Sequence, residues 1–485
     1  MGFGKFEVLG NYFFIFFDKF CKNLNISTIN SAKFKFILLQ CRFSNFQCKI
    51  FPKKFRSTKN GNLQKKKQVL LNTNKGTSMF QSFKQKYIVN FWDVGKAMVA
   101  LGVLSAVYFG VLGGVWAVTG EMTRWGGEFL ELFGFDTSEY SYYKIQNLSG
   151  TPLTRTDGVM LIGMFIGALV AALWANKVKF RLPASGIRVF QAIVGGFLSG
   201  FGARLAFGCN LADFFTGLPY FSLHTWLFTI FMVLGIYLGV KVCSTPFFKP
   251  KAPLIRVDNE TGLGIVRDKT RAARHSLFGS LVFIAFLGWV CYLIATNPAL
   301  DVKVRASLLS VALIFGFAFG FIISKGQVCF TSCFRDLFLF GREIALKGAI
   351  IGMILASLIA FAFMMWGHSA KVVDVSLAVA VGAFLFGFGI VFAGGCECGW
   401  TYRACEGQVH FMIVGVANVL GTIVLALTYD LMPQGFKQGV KVQLLQALTP
   451  LGGLFITLAM FSVCLFLGFY FKKRFFEKRA LAGGA

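Results

Sequence analysis

The sequence predicts an all-α polytopic integral membrane protein, with about ten transmembrane helices and re-entrant hairpins arranged in two inverted-topology repeats. Its composition is the first observation: 56% of the 485 residues are hydrophobic and only 14% are charged, whereas charged residues make up about 25% of a soluble domain. Long apolar segments follow one another along most of the chain, and one glycine-rich frame ending in cysteine occurs twice.

The first 78 residues differ in composition from the rest of the chain. They are basic and rich in Phe and Lys, they contain no apolar run of the roughly 18 residues that a span needs, and no small-residue cleavage site follows their apolar patch. We expect Met79 to be the natural start and residues 1–78 to be an artefact of the gene model, with a disordered basic extension as the alternative. Residues 79–485 then form the membrane domain.

Ten later segments are long and apolar enough to cross a bilayer, and they must be helical because lipid satisfies no backbone hydrogen bond. We predict spans at about 95–118, 158–175, 189–208, 224–243, 277–296, 306–323, 347–366, 376–394, 409–428 and 449–471. Residues 1–78 carry +13 of the formal net charge of +28, and most of the other basic residues lie between these segments or at the C-terminus. Membrane topology explains such a pattern, so no nucleic-acid partner is expected.

The loops predict the orientation of the spans. The loop with Lys177, Lys179, Arg181 and Arg188, the stretch 244–275 and the C-terminus are basic, whereas 119–157 is rich in acids. By the positive-inside rule the basic stretches face the cytoplasm. We therefore expect a multi-pass protein of the bacterial inner membrane with both termini cytoplasmic.

The repeated frame predicts two related halves. It reads GFGARLAFGC at 200–209 and GFGIVFAGGC at 387–396, with six identities in ten positions. A weaker resemblance joins the amphipathic segments Gly120–Gly134 and Gly326–Gly341. The copies lie five spans apart, which inverts the second relative to the first. Repeat one covers about 95–243, and repeat two about 306–428.

Inverted repeats in a membrane protein enclose a substrate site near the bilayer midplane, where broken helices direct their ends at the substrate. Non-helical backbone at that depth is tolerated only where it lines a cavity. The amphipathic segments are too short and polar to span, so we expect them to re-enter the membrane from opposite faces. Cys209 and Cys396 are then symmetry mates directed at one path.

Three long motifs in this chain resemble the YeeE/YedE family of sulfur-species transporters, and most closely its selenium-metabolism YedE branch. These motifs are GFGARLAFGCNLADFFTGLPYFSLHTW, QVCFTSCFRDLF and FGFGIVFAGGCECGWTYRACEGQVH. The resemblance implies an inner-membrane permease whose thiosulfate-transporting members pass the anion along central cysteines. It also implies a small TusA/SirA-like sulfur-carrier protein as a partner.

The resemblance carries over to Cys209, Cys396 and Cys329, which match cysteines of the family pattern. The first hairpin segment, GEMTRWGGE, contains no cysteine, although the thiosulfate branch implies one there. Thiosulfate itself is therefore in question as the substrate, and the choice between sulfur and selenium stays open.

The chemistry of a soft divalent anion favours such a path. Thiols are weak, polarizable donors, and weak donors in series suit a site that must also release its cargo. Ionisable residues within membrane segments are functional candidates by default. The candidate pathway residues are Cys209, Cys396, Cys329, Arg204, Asn210, Gly208, Gly395, Cys398, Arg335 and Arg403.

Two alternatives use the cysteine clusters differently. CECGWTYRAC, with His410 nearby, is the candidate for a metal-binding membrane protein, although its spacing is not a standard one. Cys329 and Cys333 would serve a membrane thiol-redox protein, although redox motifs usually have two intervening residues. We find no nucleotide-binding loop or hydrolase constellation, and therefore predict neither an enzyme nor a cofactor.

Several other residues have a structural explanation that competes with a functional one. We expect Cys243, Cys291 and Cys464 to be small buried hydrophobes, as free cysteines in spans usually are. Glu397 and Glu406 either tune release of the cargo or pair with Arg403.

Overall fold

A computed structural model of the chain describes residues 84–248, 269–296 and 306–482. Residues 1–78, which we expect to be an artefact or a disordered extension, lie outside these ranges. Most of the basic stretch 244–275 also lies outside them. The α-helices are α1 Val94–Leu112, α2 Thr119–Leu132, α3 Ser141–Ile145, α4 Thr156–Trp174, α5 Gly186–Leu205, α6 Leu223–Cys243, α7 Lys269–Thr296, α8 Ala306–Gly326, α9 Phe330–Phe340, α10 Ile344–Met365, α11 Leu377–Ala393, α12 Glu397–Cys405, α13 Val409–Thr428, α14 Gln434–Lys437, α15 Leu444–Ala447 and α16 Pro450–Ala482.

The remaining elements are short. They comprise π-helical turns at Lys84–Val89 and Asn210–Phe215, 3₁₀ turns at Thr137–Glu139, Leu218–Tyr220 and Tyr429–Leu431, and two antiparallel strands, β1 Asp374–Val375 and β2 Val440–Lys441. We call Asn210–Phe215 the π-turn. The all-α class is therefore confirmed.

The described residues contain ten helical segments long and apolar enough to cross a membrane, as the sequence predicts. Side chains cap several of them: Asp93 accepts from the Lys96 amide, and Ser185 and Ser376 cap α5 and α11 in the same way. The predicted end of the first span at residue 118 was wrong. The helix stops at Leu112 because Gly113 takes a left-handed conformation, with φ of 69°.

The helices pack through glycines, as membrane helices often do. A Cβ at Gly320 would collide with the Met164 carbonyl, and one at Gly102 would collide with the Gly352 carbonyl. These close approaches hold α8 on α4 and α1 on α10. The absence of side chains at such positions is what lets the backbones approach.

The packed pairs recur in a regular scheme. Helix α4 packs on α8 and α1 on α10, α5 packs on α13 and α6 on α11, and α5 and α11 pack on each other. Exchanging each helix for its predicted repeat partner leaves this set of pairs unchanged. Helices α7 and α16 belong to neither predicted repeat, and they are the least buried of the ten candidate spans, at 22% and 17%.

The described connections gather at two ends of the bundle. At one end, which we call the basic end (84–93, 177–185, 325–327 and 406–408), the Lys179 amide donates to the Glu406 carbonyl over 2.9 Å. At the other, which we call the acidic end (113–155, 218–222, 366–376 and 429–448), β1 pairs with β2, and Ser222 bridges to Gln443. The Lys179–Glu406 contact joins a loop of the first predicted repeat to one of the second, whereas β2 and Gln443 belong to the connection that follows the second repeat.

Candidate functional site

Each of the three cysteines that match the family pattern stands immediately before a short helical segment. Cys209 precedes the π-turn, Cys396 caps α12 and Cys329 caps α9, all three with extended backbone. None is more than 1% exposed. The chain thus leaves a long helix, presents a buried thiol and resumes helical structure, which is the geometry of a broken helix.

A left-handed residue lies two positions before each of these cysteines. Phe207 has φ of 60°, Gln327 of 48° and Gly394 of 80°. Such values are uncommon for residues other than glycine, so Phe207 and Gln327 hold their turns against a conformational cost. The shared turn explains why the sequence places the cysteines in similar local frames.

Cys329 and Cys396 lie side by side, with their Sγ atoms 3.8 Å apart. A Cβ at Gly399 would lie 2.8 Å from the Cys329 sulfur. Glycine at this position therefore allows the first turn of α12 to sit against the thiol. The two cysteines come from different broken helices and form one buried pair.

Two guanidinium groups stand behind this pair. Arg403 and Arg335 both donate to the Gly394 carbonyl, over 3.1 and 3.4 Å. Arg403 also lies over the Phe411 ring at 4.9 Å. A Cβ at Gly395 would approach the Arg403 guanidinium to 3.0 Å, so the small residue at 395 leaves room for the charge.

The predicted pairing of Arg403 with either buried glutamate is not seen among the described residues. Glu406 accepts from Gln327 over 2.8 Å and from Gln408 over 3.1 Å. Glu397 accepts from Asn418, over 3.4 Å. The side-chain hydrogen bonds of both carboxylates come from amides rather than from Arg403, so among the described residues the Arg403 guanidinium has no carboxylate partner.

Aromatic contacts bring the first cysteine segment against the second half. Phe215 of the π-turn packs on Phe330 of α9, with ring centroids 4.5 Å apart, and Phe214 packs on Phe334 at 5.2 Å. Cys209, at the start of the π-turn, and Cys398 of α12 belong to the same cluster of buried residues as Cys329 and Cys396. Cys209, Cys398, Cys396 and Cys329 therefore belong to one buried region.

Buried polar groups without partners surround the approach from the acidic end. Arg204 is 2% exposed, and its Nε and Nη2 have no hydrogen-bond partner among the described residues; the same holds for both polar side-chain atoms of Asn210. Tyr142 donates to the Arg204 carbonyl over 2.7 Å, and burial raises the pKa of Tyr142 to about 12. The Arg204 guanidinium itself lies over the Tyr142 ring, 5.4 Å from its centroid, and its remaining donors could bind an anion.

Gly208 makes room for a further polar cluster. A Cβ there would collide with the Asp213 carboxylate, which lies 3.7 Å from His224 Nε2. His224 in turn contacts the Ser222 hydroxyl through Nδ1, over 2.6 Å. Asp213 and Ser222 were not found by sequence reasoning.

Glu397, Asn418 and Ser199 form a network that sequence reasoning did not assemble. The Asn418 amide donates to the Ser199 hydroxyl over 3.0 Å as well as to Glu397. A polar residue inside the apolar run 409–428 is itself a signal of function, so Asn418 could have been found from the sequence.

The remaining cysteines are arranged differently. Cys333 and Cys398 are buried, and Cys405 lies partly exposed, with its sulfur 3.7 Å from the Phe165 carbonyl. The expectation of burial fails for Cys291, which is exposed on α7, and Cys243 and Cys464 are half-buried. Within the described ranges, no group of three or more His, Cys, Asp or Glu residues is arranged to hold a metal ion.

The chain is similar to known transport proteins. It matches the family described as Sulphur transport over residues 56–238 and 325–482. Over 83% of this chain and 98% of the relative, it is 44% identical to the "Probable transporter YedE" of Salmonella typhimurium, and equally so to that of Escherichia coli K12. The "Thiosulfate transporter TsuA" of Spirochaeta thermophila is 41% identical over 18% of this chain and 26% of its own length.

Proposed function

Because this multi-pass membrane chain belongs to the sulphur transport family, we propose that it is a permease for a small sulfur- or selenium-containing anion. The observation that carries this proposal is the buried Cys329–Cys396 pair, 3.8 Å apart, with the guanidinium groups of Arg335 and Arg403 behind it. Thiols supply weak donors and the arginines supply the charge that an anion needs in lipid.

The proposed architecture is two inverted repeats around this path. Its support is the set of packed pairs, in which α4–α8 corresponds to α10–α1 and α5–α13 to α11–α6. Helices α2 and α9 would be the re-entrant segments, since each follows the first span of its repeat and is amphipathic.

The proposed route begins at the acidic end. The anion first meets Arg204 and Asn210, whose unpartnered donors offset part of its lost hydration. It then passes Cys209 and Cys398, which share one buried region.

From there the anion reaches Cys396 and Cys329 and leaves towards the basic end past Arg335 and Arg403. No step needs a strong bond, because each thiol is a weak donor and the next one lies close.

The direction follows from the proposed orientation. With the basic end in the cytoplasm of a bacterial inner membrane, and both termini on that side, the route runs inward. A TusA/SirA-like carrier would receive the cargo at the basic end. Support for sulfur cargo comes from two relatives named thiosulfate transporters, and selenium is proposed from the YedE resemblance.

Reconstitution of the full chain in liposomes tests the proposal. Uptake of labelled thiosulfate, selenosulfate and selenite is compared for the wild type and for Cys209→Ala and Cys396→Ala. We expect uptake of at least one anion by the wild type and at least a tenfold loss in both variants. Cys291→Ala is the matched control, because this thiol is exposed on the peripheral helix α7, and it should transport normally.

Two results would contradict this function. Normal uptake by both pathway variants would exclude the cysteines from the route. If the folded wild type transported none of the three anions, the thiol-redox alternative would take precedence, and disulfide exchange by Cys329 with a dithiol partner would be measured instead.

A further inference from the structure

Glu397 is a buried acid at the centre of the cysteine region that the proposed route does not use. It is the first residue of α12, directly between Cys396 and Cys398, and it is 1% exposed. Within the ranges that the structure describes, its Oε2 atom has no hydrogen-bond partner. Ionised carboxylates are almost never buried in this way without a cation or several donors.

The partners that Glu397 does have are neutral. Asn418 donates to its Oε1 over 3.4 Å, and the same amide is shared with the Ser199 hydroxyl. One long hydrogen bond from an amide is weak compensation for a full negative charge. The side chain therefore sits in an environment made for a neutral, protonated acid.

The charged and titratable groups around Glu397 do not change this conclusion. The nearby thiols are those of Cys396 and Cys398, which flank it in sequence, and of Cys329, which lies against Cys396; Cys209 belongs to the same buried cluster. Helices α13 and α5 present Asn418 and Ser199.

The nearest cations are engaged elsewhere. Arg403, on the same helix, donates to the Gly394 carbonyl, and Arg335 of α9 donates to that carbonyl and to Asp336. Lys325 of α8 donates to the Ile88 carbonyl. Helix α4, the remaining neighbour, contacts α12 through Phe165, whose ring lies against Trp400 and whose carbonyl faces Cys405. In the part of the chain that the structure describes, no salt bridge to Glu397 is formed.

We propose that Glu397 binds a proton in the transport path and that the anion passes only while this carboxyl is protonated. The inference rests on the proposed function. A neutral carboxyl between Cys396 and Cys398 adds a hydrogen-bond donor to the route, whereas a carboxylate there repels a divalent anion. Passage of the anion is thereby tied to pH.

The test compares Glu397→Gln with the wild type in liposomes whose internal and external pH are equal and varied together from 5 to 9. Gln has the shape of the acid and keeps a donor, but it cannot ionise. Wild-type uptake should fall by about tenfold per pH unit above a single midpoint, since the protonated fraction falls by that factor. Uptake by Glu397→Gln should show no such fall.

The matched control is Glu406→Gln. Glu406 is also buried, at 4% exposure, but both of its carboxylate oxygens accept hydrogen bonds from amides. This variant should keep the wild-type pH profile. Folding of both variants is checked by size-exclusion profile and by thermal unfolding in detergent.

Each other outcome has a distinct meaning. If the wild type transports but Glu397→Gln keeps the same pH profile, the proton is bound elsewhere, as at Asp213 and His224, and the inference is overturned while the function stands. A folded but inactive Glu397→Gln also overturns it. Absence of uptake by the wild type overturns the proposed function itself.

Discussion

The thiol of Cys329 lies 3.8 Å from that of Cys396, although the repeated frame matches Cys396 with Cys209. The cysteine that matches Cys396 in the repeated frame is therefore not the cysteine that contacts it. The pair that touches joins α9 to α12, two broken-helix segments of the second half. Anything that fixes this pair also fixes the two segments relative to each other.

We expect mild oxidation to link Cys329 to Cys396. A disulfide needs a sulfur–sulfur distance of about 2.05 Å, which a small side-chain rotation can reach. The two thiols lose two protons and two electrons to an added oxidant such as diamide. The bond should appear as one cross-linked peptide pair in mass spectrometry, stop uptake and be reversed by a reductant. Cys333→Ala serves as control and should still cross-link; a Cys329–Cys333 peptide instead would contradict the geometry.

Replacing Arg204 should weaken binding of the anion. Its free Nε and Nη2 donors are buried, and a hydrogen bond to a charged group contributes about 1.5–3 kcal/mol. Arg204→Gln should therefore raise KM for uptake by about 10- to 100-fold, and Arg204→Lys should recover part of the loss. Arg181→Gln, an exposed arginine at the basic end, is the control. An unchanged KM in Arg204→Gln would remove this residue from the route.

In the proposed repeat scheme Val118 of the first half corresponds to Cys329 of the second. Both cap the helix after the first span of their repeat, and both are buried. Val118→Cys should supply a further weak donor and lower KM for thiosulfate several-fold. The new thiol should also be protected from a membrane-permeant thiol reagent by excess thiosulfate. If neither change occurs, this position does not line the path.

The glycine contacts predict where bulk is not tolerated. A side chain at Gly320 would meet the Met164 carbonyl, and overpacking of this kind usually costs about 1–3 kcal/mol. Gly320→Val should lower the unfolding temperature in detergent or prevent folding. Gly288→Val makes the same change in another membrane helix at a position with nothing within 4 Å, and it should unfold like the wild type. Equal unfolding temperatures would argue against the α4–α8 contact.

The span positions were predictable because bilayer thickness demands long apolar runs, and ten such runs are plain in the sequence. The end of the first span could not be predicted from hydropathy, because an apolar stretch also follows Leu112. Only the left-handed conformation of Gly113 ends the helix. Hydropathy carries no information about that angle.

Part of the candidate site could also be predicted from the sequence. The frames identify Cys209 and Cys396 because a broken helix needs small residues before the thiol. They cannot show that Cys396 touches Cys329, since contact depends on how two segments pack. The Asp213–His224 approach depends on folding in the same way. The inverted repeats and the roles of these residues stay predictions.

Helices of one predicted half pack on helices of the other, so the order in which the helices are synthesised matters for folding. Helix α1 meets α10, and α4 meets α8, through glycines that let the backbones approach and through buried apolar side chains around them. We expect the helices made first to have these faces uncovered in the bilayer until the later helices are inserted. In the proposed scheme neither half would be a domain in its own right, and the proposed path would be complete only when the last helices pack on the first.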